Sequence, residues 1–177
     1  MDTRRIKVFL GYRYDYGKTQ TGPRQLLYDD VDTMSKLSLV ALVREVLVRV
    51  LRNDMQGYLK LPGRNFFNQA VMVCYLKFNS GLGTHQDSKS LFQRPIISIR
   101  LLADAALSFN RVGRECRRTP QSFSVPQSVG TVTLLERFAA DYATHCVLKK
   151  DLKVPSLSIV FRGVQQSAVE AMRSSQV

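Results

Sequence analysis

The chain has 177 residues, 45% of them apolar, which predicts one compact domain with a substantial core and excludes a disordered or collagen-like chain. Its 26 Lys and Arg stand against 14 Asp and Glu, and a net charge of +12 points to a polyanionic partner, nucleic acid before an acidic membrane surface. Three scattered cysteines (Cys74, Cys116, Cys146), an N-terminus without a signal-peptide apolar stretch and no apolar run near the ~18 residues of a membrane span predict an intracellular protein, cytoplasmic or nuclear, with no membrane segment.

The first strand is expected over residues 6–12, followed by the aromatic, polar stretch Tyr12-Arg13-Tyr14-Asp15-Tyr16-Gly17. A helix is expected from the N-cap type residue Asp32 to about Arg52. Leu39, Val43, Val46 and Val50 share one of its faces, and that wide apolar face suits packing on a sheet. Short strands follow at 70–78, 95–102, 105–109, 122–125, 129–136 and 146–149, with residues 79–83 as a loop. The last strand, 156–162, alternates Ser156, Ser158 and Val160 on one face with Leu157, Ile159 and Phe161 on the other. A polar tail is expected from Val164 to Val177. One early helix followed by about eight short strands predicts an α+β domain dominated by an antiparallel sandwich or barrel.

The chain has two histidines, His85 and His145. His85 opens the triplet His85-Gln86-Asp87, and in extended backbone residues i and i+2 point the same way. One imidazole and one carboxylate can therefore grip an ion from one face, and His145, sixty residues later on another expected strand, can complete the set. Two His and one carboxylate with open positions is the facial triad of non-haem Fe(II) oxygenases. Between two strands, Arg111, Arg114, Arg117 and Arg118 surround a single Glu115. Arginines so clustered suit phosphate contacts.

The run from Phe67 through Tyr75 to Gly81-Leu82-Gly83-Thr84-His85-Gln86-Asp87 resembles the core signature of AlkB-like dioxygenases. The segments Pro95-Ile96-Ile97-Ser98-Ile99, Gly130 to Leu135, the His145 region and Ser156 to Arg162 continue the likeness in order over about residues 5–163. The resemblance implies a double-stranded β-helix (jelly-roll) core with one long N-terminal helix packed on the sheet, occupying residues 1–163, with 164–177 as a tail. It implies Fe(II), 2-oxoglutarate and O₂, and hydroxylation or oxidative demethylation of modified bases in DNA or RNA. His85, Asp87 and His145 match the iron ligands. Tyr75, Ser158 and Arg162 match the contacts to the oxo acid.

Two departures stand out. The final strand of the family carries two arginines six positions apart, and here the first position is Ser156 while the second is Arg162. Arg100 and Lys153 are the basic residues available to replace it. The acidic residues that commonly follow the metal-binding aspartate are Ser88-Lys89-Ser90 here, which disfavours a cationic methylated base. Three other readings stay open: a 5-methylpyrimidine hydroxylase like the TET and JBP enzymes, a protein side-chain hydroxylase, and a non-catalytic nucleic-acid-binding module on an oxygenase scaffold.

Overall fold

Two antiparallel sheets face each other, and the residues that join them decide where a ligand can sit. The computed structural model describes residues 5–19, 22–29, 37–54, 57, 66–77, 80–111 and 122–174. The strands are β1 (Arg5–Thr19), β2 (Gly22–Asp29), β3 (Gln69–Tyr75), β4 (Leu82–His85), β5 (Ile96–Leu101), β6 (Ala105–Arg111), β7 (Phe123–Gln127), β8 (Val132–Leu135), β9 (Ala143–Val147) and β10 (Ser156–Arg162). The helices are α1 (Leu37–Arg52), α2 (Arg137–Asp141) and α3 (Gln166–Ser174). One sheet runs β2-β1-β3-β10-β5-β8 and the other β4-β9-β6-β7.

Period-two alternation along the central strands assigns their faces. Register pairs Ser158 of β10 with Val73 of β3 and Arg100 of β5, and Val160 with Val71 and Ser98. These residues, with Tyr75 and Arg162, form the inner face. Ala70, Ile97, Ile99, Ile159 and Phe161 form the outer face, a buried cluster covered by Val43, Val46, Leu47 and Val50 of α1. The helix expected over 32–52 is thus described from Leu37 onward, and in chain order it follows the β1–β2 hairpin. The inner face joins Leu107, Phe109 and Val147 of the second sheet in the other core cluster.

β1 serves two partners. Arg5–Gly11 pairs with β3, and Tyr12–Thr19 pairs with β2. The change of partner falls at Gly11, which has φ +86°, and a side chain there would run into the Asn68 carbonyl. Glycine is the residue that tolerates both constraints. The aromatic stretch from Tyr12 onward therefore continues the strand.

Three other sequence expectations change. The loop expected over 79–83 ends at Leu82, where β4 begins and pairs with β9. The strand expected at 146–149 is β9, three residues earlier, with all five residues buried. Within the expected polar tail, Gln166–Ser174 forms helix α3, whose Val169 and Met172 are buried in the core. Its overall polarity concealed an apolar pair at i, i+3, enough for a narrow stripe on a short helix. Among the described residues, no helix is long and apolar enough to cross a membrane.

Docking of α3 makes Met172 a core residue. Met172→Ala is expected to lower unfolding free energy by about 2–3 kcal/mol, read by urea denaturation. An undocked tail would shift it by less than about 0.5 kcal/mol.

Candidate metal centre

β4 and β9 pair so that His85 and His145 lie directly opposite each other. Their ring centroids are 4.4 Å apart. Asp87 follows two residues after His85, in the turn beyond β4. Arg94 holds that turn: Nη2 donates to the Asp87 carbonyl at 2.9 Å and Nε to Asp141 at 3.1 Å. One donor atom from each of His85, Asp87 and His145 lies within 4.8 Å of the other two. Asp87 and His145 are buried, at 4% and 6% exposure.

His85 and Asp87 are each oriented by a neighbour. His85 Nδ1 lies 2.9 Å from the Gly83 carbonyl, a contact that puts the proton on Nδ1 and leaves Nε2 as the lone-pair atom. His145 Nε2 lies 3.7 Å from Asp87 Oδ2. Arg162 crosses from the opposite sheet and sets Nη2 3.0 Å from Asp87 Oδ1. The Arg162 guanidinium rests against the rings of Phe92, at 4.7 Å, and Tyr14, at 5.0 Å.

Electrostatics leave all three donors in the form a metal requires. Burial pushes His145 down to about 4, helped by the neighbouring His85. Burial also lowers His85. Burial alone would raise Asp87, but Arg162 and then the two histidines bring its carboxyl below the ordinary value. At neutral pH the group is two neutral imidazoles and a carboxylate, the donor set of a borderline divalent ion such as Fe(II).

No family model matches the chain. Over 171 residues, 93% of the chain, it is 30% identical to the RNA demethylase ALKBH5 of Xenopus tropicalis and to that of Bos taurus. Those matches take in 45% and 41% of the two proteins, so the chain spans less than half the length of the curated relatives it matches. The solved structure of OsALKBH1 superposes with a TM-score of 0.50 at 19% identity, covering 90% of this chain and 78% of that one. Over 93% of its length the chain is similar to these AlkB-like proteins.

The residues that the AlkB resemblance singles out meet in one cavity between the sheets. Tyr75, Ser158 and Arg162 line it together with His85, Asp87 and His145. Tyr75 is 1% exposed, and its hydroxyl shares a hydrogen bond with Ser158. Burial pushes this phenol up, so it stays protonated and can donate. Ser156 also faces inward, and Arg100 fills the space beside it, with Nη1 3.3 Å from Ser156 Oγ. Lys153 is exposed and does not line the cavity. Tyr14 of the aromatic stretch also lines it, as do Gln127 and Lys7, which sequence reasoning missed. Lys7 carried the only available signal, a basic residue on an inward position of an apolar strand.

Lys89 sits 3.9 Å from Asp141 and 4.4 Å from the ring centroid of Tyr142, outside the cavity lining. Of the four arginines read as phosphate contacts, Arg111 ends β6, and Arg114, Arg117 and Arg118 lie outside the described residues. The strands that carry that loop border the centre. Phe109 of β6 pairs with His145, and its ring stacks on exposed Phe123 of β7 at 5.1 Å.

The buried imidazoles make stability depend on pH. His145 has a folded value near 4 against 6.5 unfolded, so its contribution is present above 6.5 and is lost as pH falls toward 4. In chelator-treated protein, unfolding free energy is expected to drop by about 2 kcal/mol between pH 7 and pH 5 from this residue alone. His145→Gln should flatten that slope in urea titrations, and an unchanged slope would remove His145 as its source.

Proposed function

We propose that this chain is an Fe(II)- and 2-oxoglutarate-dependent dioxygenase that hydroxylates or oxidatively demethylates a modified base in nucleic acid, RNA before DNA. The observation that carries the reading is the His85, Asp87 and His145 group, with donor atoms within 4.8 Å of one another in a buried cavity. Supporting it are the similarity to AlkB-like proteins over 93% of the chain, the name RNA demethylase borne by the relatives, and a net charge of +12 suited to a polyanion. We read the two facing sheets as the double-stranded β-helix core of such an oxygenase, extended at its C-terminus by α3.

Iron bound with a 2-oxo acid and O₂ supplies the oxidising power that inserts oxygen into an alkyl C–H bond. The chain supplies the rest. His85, Asp87 and His145 offer three donors and leave other coordination positions for ligands. Arg162 keeps Asp87 ionised and fixed in place. Val71, Val73, Leu107, Leu135 and Val147 line the cavity with apolar surface that excludes water. The stacked rings of Phe109 and Phe123 lead from His145 to the surface, where an unstacked base can lie on the exposed ring.

The residues after Asp87 narrow the substrate. Ser88 and Ser90 bond to each other at 2.8 Å, and Lys89 is turned toward Asp141 and Tyr142. None of the three offers a carboxylate to a cationic base. This favours a base that is neutral in its alkylated form. It also keeps the hydroxylation of a 5-methylpyrimidine in view as the second reading.

The test is anaerobic loading with Fe(II), then 2-oxoglutarate, then O₂. Wild type should develop a visible charge-transfer band and form succinate, with formaldehyde released from an N-methylated RNA oligonucleotide. His85→Ala should lose the band and the succinate while remaining folded. A folded wild type giving neither band nor succinate would point to the non-catalytic binder instead. Arg111, Arg114, Arg117 and Arg118 are proposed to contact phosphates. Replacing Arg114 and Arg117 with Gln should then reduce the salt slope of single-strand binding by about 1.4. An unchanged slope returns the loop to solvent.

A further inference from the structure

Arg100 is a cation in the middle of a sheet, and its surroundings ask for an anion. It lies on central strand β5, opposite Ser158, and is 2% exposed. Nη1 donates to Ser156 Oγ at 3.3 Å, and Nη2 donates to Gln127 Oε1 at 3.1 Å. Gln127 is itself fixed, because its amide donates to Thr133 Oγ1 at 2.7 Å and so turns its oxygen toward the arginine. The Ser156 hydroxyl has backbone carbonyls of Leu101 and Ala103 as acceptors, at 3.3 and 3.2 Å, which leaves its lone pairs for Arg100. These partners are neutral. Nε is buried with no acceptor. Among the described residues, no carboxylate lies within ion-pair distance of this guanidinium.

A buried guanidinium without a counter-charge is strongly disfavoured unless a ligand supplies one. Its planar fork matches a carboxylate in two parallel hydrogen bonds. Arg100 lines the same cavity as the metal-binding group, and the Tyr75 ring lies 5.7 Å from its guanidinium carbon. The other arginine in that cavity, Arg162, is already matched by Asp87 at 3.0 Å. Ser158, opposite Arg100, is four residues from Arg162 along β10, about 13 Å at strand rise. One end of the cavity therefore holds the metal donors and a neutralised arginine, and the other holds an arginine still lacking its anion.

We propose that Arg100 binds the distal carboxylate of the 2-oxo dicarboxylic acid, with Tyr75 beside it, and that Gln127 and Ser156 aim its guanidinium. The clamp thus stands on β5, and the short side chain of Ser156 on β10 leaves room for it. This rests on the dioxygenase reading above.

The test is calorimetric titration of Mn(II)-loaded protein without O₂, using 2-oxoglutarate and 2-oxopentanoate, which has the same five carbons but no distal carboxylate. Wild type should prefer 2-oxoglutarate by about 100-fold. Arg100→Gln should lose that preference and bind 2-oxoglutarate about 100-fold more weakly, with Mn(II) affinity unchanged. The double variant Arg100→Ser/Ser156→Arg, which returns a guanidinium from the neighbouring strand, should recover most of the preference. If Arg100→Gln still prefers 2-oxoglutarate, another cation such as Lys7 holds the carboxylate and the proposal is overturned while the dioxygenase reading stands. If wild type binds Mn(II) but neither oxo acid, both fall. Should Arg100→Gln fail to fold, the double variant decides: restored preference supports the clamp, and equal binding of the two acids overturns it.

Discussion

Asp87 and Arg162 meet at 3.0 Å across the gap between the two sheets, and the organisation of the cavity depends on that contact. The arginine comes from β10 in the six-stranded sheet, and the carboxylate from the turn after β4 in the four-stranded one. Buried this deeply, neither charge is tolerable without the other. The pair therefore fixes the spacing of the sheets at one end and sets the carboxylate where both imidazoles can reach it. It also keeps Asp87 ionised against a burial effect that would protonate it. The pair is asymmetric in what it leaves over. Asp87 still has Oδ2 facing His145, so the ion pair orients the carboxylate without exhausting it.

The candidate metal centre was legible in the sequence because its chemistry is local. His85 and Asp87 are two residues apart, and a spacing of two on extended backbone is enough to put imidazole and carboxylate together. His145 was legible for lack of a rival, since the chain has only two histidines. The alternation of β10 could be read directly, because Ser156, Ser158 and Val160 contrast with Leu157, Ile159 and Phe161. What could not be read was register. Arg100 stood out as a basic residue on an apolar strand, yet only the pairing of β5 with β10 puts it opposite Ser158 and against Ser156. Local composition misled elsewhere. Glycines around Leu82 signalled a loop where tertiary pairing with β9 draws out a strand, and the polar run after Val164 hid the two side chains that dock α3.

The same logic explains why polar side chains interrupt the apolar lining of the cavity face. A sheet buried on both sides ordinarily reads as a continuous apolar run. Here β10 presents Ser156, Ser158 and Arg162 inward, and β5 presents Ser98 and Arg100, while the outer faces of both strands are apolar beneath α1. Packing of α1 stabilises the sheet from the outer side, and on the inner side these polar groups sit among Val71, Val73, Ile96 and Val160 of the other core cluster.

Charge closes the argument. Lys7, Arg100 and Arg162 bring three basic side chains to the cavity lining, and Asp87 is the single carboxylate among the described lining residues. Both imidazoles are neutral at physiological pH. A divalent ion at the centre adds to this positive excess rather than relieving it. In a low-dielectric cavity that balance favours an anion at the Arg100 end. A dicarboxylate that reaches from the metal donors to Arg100 would balance both ends at once. A monocarboxylate satisfies only one end and leaves the other arginine buried without an anion. In the proposed clamp, selectivity for the longer, doubly charged acid follows from where the unneutralised charge sits, independently of how many hydrogen bonds the ligand makes.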